Sequence, residues 1–180
     1  MRVRPTSDRV KESLFSIICS REGNLEGMRV LDLCAGTGAL GIEALSRGAA
    51  EAVFVDNHRE SAALISRNIK LAGFSGKGKV LTMEALAALR ELEGRGELFH
   101  LVFLDPPYSL GLVEKLLAAL AGSRLLADDA LVVAEFATGE ELAATHGVLQ
   151  DCGRRRYGDT SVAFFEPDMR YKFRDQTITP

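Results

Sequence analysis

Hydrophobic positions recur along this chain in two alternating patterns. Short β-rich runs at 29–33, 52–56, 79–83, 101–104 and 130–136 each end near a polar or Gly-rich turn, which predicts buried strands. Between them, 39–47, 59–72, 85–92 and 110–121 space their apolar residues three and four apart. That spacing predicts helices, with Gly48, Gly73 and Gly94 at their C-termini. Strand alternating with helix is the pattern of an α/β fold, a mostly parallel sheet with helices on both faces.

The flanks differ from this core. Ser7 or Asp8 is placed to cap a helix running through Cys19, with Val10, Leu14, Phe15 and Ile18 on one face, and such a helix is expected to lie across the sheet. After the fifth strand the pattern predicts a short helix from Gly139. Two strand-like runs follow at 148–156 and 161–166, joined through Tyr157-Gly158-Asp159 as a terminal β-hairpin. The expected organisation is one domain over 1–180, with a helical segment at 1–24, a core at 25–166 and a polar tail at 167–180.

Composition narrows the class. A chain of 180 residues, 47% hydrophobic, has enough material for one full core and too little for two. No apolar run approaches the roughly 20 residues of a membrane span, and Met1 leads directly into Arg2, Arg4 and Pro5, so a cytoplasmic protein without a membrane partner is expected. Cys19, Cys34 and Cys152, and likewise His58, His100 and His146, are scattered without metal-ligand spacing, so no metal site is expected. A net charge of -3 excludes a protein that coats nucleic acid by charge alone. Two local basic patches remain, Arg2, Arg4, Arg9 and Lys11 near the start and the run Arg154-Arg155-Arg156. Each suits phosphate contact or, equally, a solvated face.

The first candidate chemistry lies in the turn Asp32-Leu33-Cys34-Ala35-Gly36-Thr37-Gly38, between the first strand and the next helix. Gly36 and Gly38 permit a tight bend and close approach of backbone to a ligand at the strand's carboxyl end. A pyrophosphate would want three glycines in the dinucleotide pattern, and Asp32 would repel it. A cationic ligand suits Asp32 better. S-adenosylmethionine, with an ammonium and a sulfonium, is such a ligand, and Asp32 is placed to attract its amino-acid end directly or through water. Cys34 and Ala35 belong to the same loop. Cys34 is read as packing, because a thiolate beside Asp32 would be disfavoured.

Asp56 ends the second strand at the distance expected of an acidic side chain that accepts hydrogen bonds from both ribose hydroxyls, with Asn57 beside it. Glu84 and Ala85, closing the third strand, offer a side chain and an amide for the adenine edge, although Glu84 equally suits the first turn of a helix. The strongest signal is Asp105-Pro106-Pro107-Tyr108, directly after the apolar strand 101–104. Two prolines fix the backbone and contribute no N–H, so they form a rigid bracket aiming the Asp105 side chain and a carbonyl at one place. Two acceptors gripping a base amino group favour the pyramidal amine whose lone pair can attack a methyl group. Tyr108 is placed to stack on the base.

With these residues in place, the chain resembles the bacterial 16S ribosomal RNA guanine-N2 methyltransferases of the small single-domain type, once described as N6-adenine-specific DNA methylases. The resemblance spans nearly the whole chain. It rests on the segment Arg4 to Phe15 (RPTSDRVKESLF), on Asp32 to Gly48 (DLCAGTGALGIEALSRG) and on Asp105 to Tyr108 (DPPY), the first being the most diagnostic. It implies a Rossmann-like class I S-adenosylmethionine-dependent methyltransferase with a seven-stranded, mostly parallel sheet and a C-terminal β-hairpin. S-adenosylmethionine would be the cofactor, S-adenosylhomocysteine the product, and 16S rRNA or the assembling small ribosomal subunit the partner of a monomeric enzyme. The site residues implied are Asp32, Gly36, Gly38 and Asp56 for the cofactor and Asp105 and Tyr108 for catalysis. DPPY alone leaves N6-adenine methylation open. Members of that family usually carry a further basic, Gly-rich stretch ahead of the RPT segment. Here Arg4, Arg9 and Arg154 to Arg156 are the basic residues expected to contact RNA.

Overall fold

A computed structural model describes residues 8–107, 111–168 and 170. The chain divides into two compact units, Met1–Ala88 and Leu89–Pro180.

In the first unit, α1 (Asp8–Glu22) buries Leu14, Phe15 and Ile18, and the Arg47 guanidinium covers the Phe15 ring at 5.0 Å. Strands β1 (Arg29–Leu33), β2 (Glu51–Asp56) and β3 (Gly78–Thr82) pair in parallel in the order β3-β2-β1, with Leu31 opposite Val53 and Asp56 opposite Thr82. β1 and β2 carry near-continuous apolar runs and are buried, whereas β3, with Lys79 and Thr82 exposed and its other residues half-buried, is the less covered strand. Two crossover helices complete the unit. α2 (Ala39–Ser46) buries Leu40, Gly41, Ala44 and Leu45, and α3 (Arg59–Leu71) buries Ala62, Ile65 and Ile69. α2 packs so close to β2 that a Cβ on Gly41 would stand 2.3 Å from the Phe54 ring.

α4 (Ala85–Gly94) contains the boundary between the units. It runs two residues beyond its predicted end. Gly94 is its last residue and Gly96, at φ +70°, supplies the left-handed turn that sequence reasoning assigned to Gly94.

In the second unit, β4 (Phe99–Leu104) pairs in parallel with β5 (Leu126–Ala137), and α5 (Leu112–Ala121) connects them, burying Val113, Leu116, Leu117 and Leu120. β6 (Thr145–His146), β7 (Leu149–Tyr157) and β8 (Thr160–Pro167) continue the order β4-β5-β8-β7-β6, all antiparallel after β5. The hairpin β7–β8 turns at Gly158-Asp159 as the sequence predicts.

Three expectations change. β5 starts at Leu126 rather than 130: Leu126 and Ala127 are buried and Leu126 pairs with Phe99, but the exposed Asp128-Asp129 pair interrupts the apolar run and hides it. The helix expected from Gly139 does not form. Eight strands stand among the described residues where seven were expected, the addition being the two-residue β6, held because buried His146 packs edge-on to Phe165 at 5.5 Å.

Candidate active site

The carboxyl ends of β1, β2 and β3 gather one set of predicted residues within the first unit. The turn after β1 bends sharply because Cys34, Gly36 and Gly38 all adopt positive φ (63°, 57° and 77°), and Gly38 N–H donates to the Ala35 carbonyl at 2.7 Å. Cys34 is the non-glycine residue held in this strained conformation among the described residues. Ala35 N–H donates to the Val55 carbonyl at 2.9 Å, tying the turn to β2.

Two carboxylates fix this loop. Asp32 is only 1% exposed, and its Oδ2 accepts the Gly41 N–H of α2 at 2.9 Å. A carboxylate at a helix N-terminus is stabilised by the amide and by the helix dipole. It also occupies the place where a phosphate would need donors, which is the physical reason this glycine loop does not suit a pyrophosphate. Asp56, 9% exposed, accepts the Gly36 N–H on Oδ2 at 3.0 Å and the His58 N–H on Oδ1 at 2.9 Å, with His58 Nδ1 3.3 Å from the same oxygen. Asn57 Nδ2 donates to Glu84 Oε1 at 2.7 Å, so the β2 and β3 ends are bridged at an exposed edge. The Glu84 carbonyl accepts the Ala88 N–H as α4 begins at Ala85, so Glu84 also opens that helix.

One contributor escaped sequence reasoning. Asn68, on α3, donates its Nδ2 to the Thr37 carbonyl at 2.9 Å, clamping the loop from a position 31 residues away that no local pattern links to it. His58, expected from sequence in a surface or supporting role, is an Asp56 partner.

In the second unit, Asp105-Pro106-Pro107 leaves β4 immediately after Leu104, which is opposite Ala134 of β5. Pro106 is buried, Pro107 exposed, and Asp105 half-buried; burial pushes its carboxyl up to about 6 from an ordinary value of 3.8. Near neutral pH it is therefore a carboxylate, an acceptor, yet close enough to titration to take a proton. Tyr108 lies outside the described residues, as does Arg4. Arg9 is exposed on α1 in the first unit, and Arg154, Arg155 and Arg156 are exposed on β7 in the second. No group of three or more His, Cys, Asp or Glu among the described residues is arranged to hold a metal, and no helix among them is long and apolar enough to cross a membrane.

Residues 1–166 match the family described as conserved hypothetical protein 95. Over 163 residues the chain is 37% identical to YlbH of Bacillus subtilis, named as a candidate rRNA methyltransferase; the match covers 91% of this chain and 87% of that protein. It is 35% identical over 133 residues to ribosomal RNA small subunit methyltransferase D of Escherichia coli, covering 74% of this chain and 64% of that one. Among solved structures, YhhF of Escherichia coli, named as a candidate methyltransferase, superposes with a TM-score of 0.80 at 30% identity, covering 92% of this chain and 88% of that chain.

Proposed function

Since this chain belongs to the family described as conserved hypothetical protein 95, we propose that it is an S-adenosylmethionine-dependent methyltransferase acting on the exocyclic N2 amine of a guanine in 16S rRNA. The observation that carries the reading is Asp105, a carboxylate bracketed by two prolines at the end of β4 and raised to about 6 by burial. Relatives named as rRNA methyltransferases support RNA as the substrate class.

The first unit's residues fit the cofactor. Asp32 holds the loop through Gly41 and keeps anions from the α2 N-terminus, Asp56 presents a carboxylate to the ribose hydroxyls, and Asn57, Glu84 and Ala85 face the adenine edge. Gly38 lets the loop lie tight against α3, since a Cβ there would stand 3.2 Å from Ile65. When bound, the cofactor supplies an electrophilic methyl on a sulfonium.

Asp105 accepts a hydrogen bond from the guanine N2 amine and localises its lone pair, while the rigid prolines hold this acceptor in place without backbone reorganisation. The amine would take the methyl from the bound cofactor, which would leave as the neutral thioether, and the methylated amine would shed one proton. The carboxylate, near its own titration point, is placed to take that proton. Tyr108 supplies the stacking surface for the base, and Arg4, Arg9, Arg155 and Arg156 supply phosphate contacts.

Incubation with labelled cofactor and three acceptors, 16S RNA, small ribosomal subunits from cells lacking the gene, and duplex DNA, tests the reading. Label is expected on RNA; label confined to DNA or to protein would overturn it.

A further inference from the structure

The three consecutive arginines of β7 are not equivalent. In the ladders, Phe136 of β5 pairs with Ser161 of β8, which pairs with Arg156 of β7, and Ala134 pairs with Ala163, which pairs with Arg154. Residues opposite one another share a face and neighbours along a strand alternate, so Phe136, Ser161, Arg154 and Arg156 lie on one face and Arg155 on the other. A groove of about 310 Å³ is lined by these four residues together with Thr138, Arg155 and Glu140, whose Oε1 accepts the Gly111 N–H at 3.1 Å.

Arg154 is immobilised. Its Nε pairs with the Asp151 carboxylate, its Nη2 donates to the Leu142 carbonyl at 2.7 Å, and its guanidinium lies over the Phe136 ring at 5.9 Å. Its charge is matched by Asp151, which makes it a poor phosphate ligand. Its side chain is nevertheless 39% exposed, so a fixed cationic plane, backed by an aromatic ring, faces outward. Unstacked nucleobases bind such planes. Arg155 and Arg156 have no carboxylate partner among the described residues; their bonds go to the Arg154 carbonyl (2.7 Å) and the Gly158 carbonyl (3.1 Å). The Thr138 and Ser161 hydroxyls, 2.9 Å apart, stand at the side of the groove with capacity to meet a base edge. Phe136 lies two residues beyond Ala134, the partner of Leu104, on the strand next to the one that ends in Asp105.

We propose that this groove seats an unpaired RNA nucleotide flanking the target guanine, its base stacked on Arg154 and its phosphate at Arg156. The proposal rests on the RNA methyltransferase reading and assigns separate roles to adjacent arginines. Arg154 acts through its plane and Arg156 through its charge. Arg154→Lys keeps the charge and removes the plane.

Fluorescence anisotropy of a ten-nucleotide single-stranded RNA, titrated at several salt concentrations, reads both roles. Arg154→Lys is expected to weaken binding about tenfold with an unchanged salt slope, the scale of one lost stacking interaction. Arg156→Ala is expected to lower the slope by about one. Arg124→Ala, at the opposite end of β5, should bind as the parent does. Wild-type binding by Arg154→Lys, or duplex RNA bound as tightly as the single strand, would overturn the seat. Photocrosslinking of a 4-thiouridine oligomer to the unmodified protein gives a readout independent of any variant's folding: adducts are expected between residues 134 and 161, and adducts elsewhere contradict the proposal. Guanine methylation that persists when these tests fail removes the groove alone, whereas normal RNA binding without methyl transfer to RNA removes the functional reading instead.

Discussion

Asp32 Oδ2 accepts the main-chain N–H of Gly41 at 2.9 Å, so the carboxylate near the end of β1 holds the start of α2. From sequence, Asp32 was expected to attract the cofactor's amino-acid end directly or through water. Burial to 1% exposure favours support. Asp32→Asn is then expected to cost stability, about 1–2 kcal/mol, and to weaken cofactor binding together, because both depend on the loop. Denaturant unfolding alongside calorimetric titration of the cofactor checks this. Weakened binding at unchanged stability would assign Asp32 a direct contact.

Asn68 provides a second handle on the same loop. Removing its amide in Asn68→Ala releases the Thr37 carbonyl and should weaken cofactor affinity about fivefold, the equivalent of about 1 kcal/mol, while kcat at saturating cofactor changes little. An unchanged Kd would show that the clamp does not shape the binding site.

Asp105 makes pH a probe. Its carboxyl is raised to about 6 in the folded chain from 3.8, so between those values the folded state holds a proton that the unfolded state has lost. The sign follows: stability is greatest below about pH 4 and declines as pH rises through about 6. At neutral pH the buried charge costs up to about 3 kcal/mol, so Asp105→Asn should be more stable there, with the advantage shrinking toward pH 4. The same variant should lose methyl transfer, and kcat/KM of the parent should rise with pH through about 6. Thermal melts of both proteins at pH 4, 5, 6 and 7 separate the effects.

Gly41 tests the packing under the loop. A Cβ there would meet the Phe54 ring at 2.3 Å, so Gly41→Ala should destabilise by about 1–3 kcal/mol, with partial recovery in the double variant Gly41→Ala, Phe54→Leu. Equal stability of the single variant and the parent would mean that α2 slides freely on β2.

What was legible in the sequence was whatever local chemistry decides. The apolar runs of β1, β2 and β4, the glycine turn and the hairpin at Gly158 follow from period and turn residues. The stretch after Gly139 did not, because its residues favour a helix and tertiary partners claim them first. Glu140 Oε1 accepts the Gly111 N–H at 3.1 Å, Glu114 Oε1 accepts the Ala143 N–H at 3.0 Å, and Arg154 draws on the Leu142 carbonyl. The candidate site divides in the same way. Asp32, Asp56 and Asp105 announce themselves at strand ends, whereas Asn68 and the Arg154–Phe136 platform depend on contacts between distant segments.

The most direct measurement is mass spectrometry of nucleosides from small-subunit RNA, taken from cells lacking the gene and incubated with the enzyme and S-adenosylmethionine. N2-methylguanosine is expected at a single position with the parent enzyme and none with Asp105→Ala. N6-methyladenosine in its place, or equal methylation by Asp105→Ala, would contradict it.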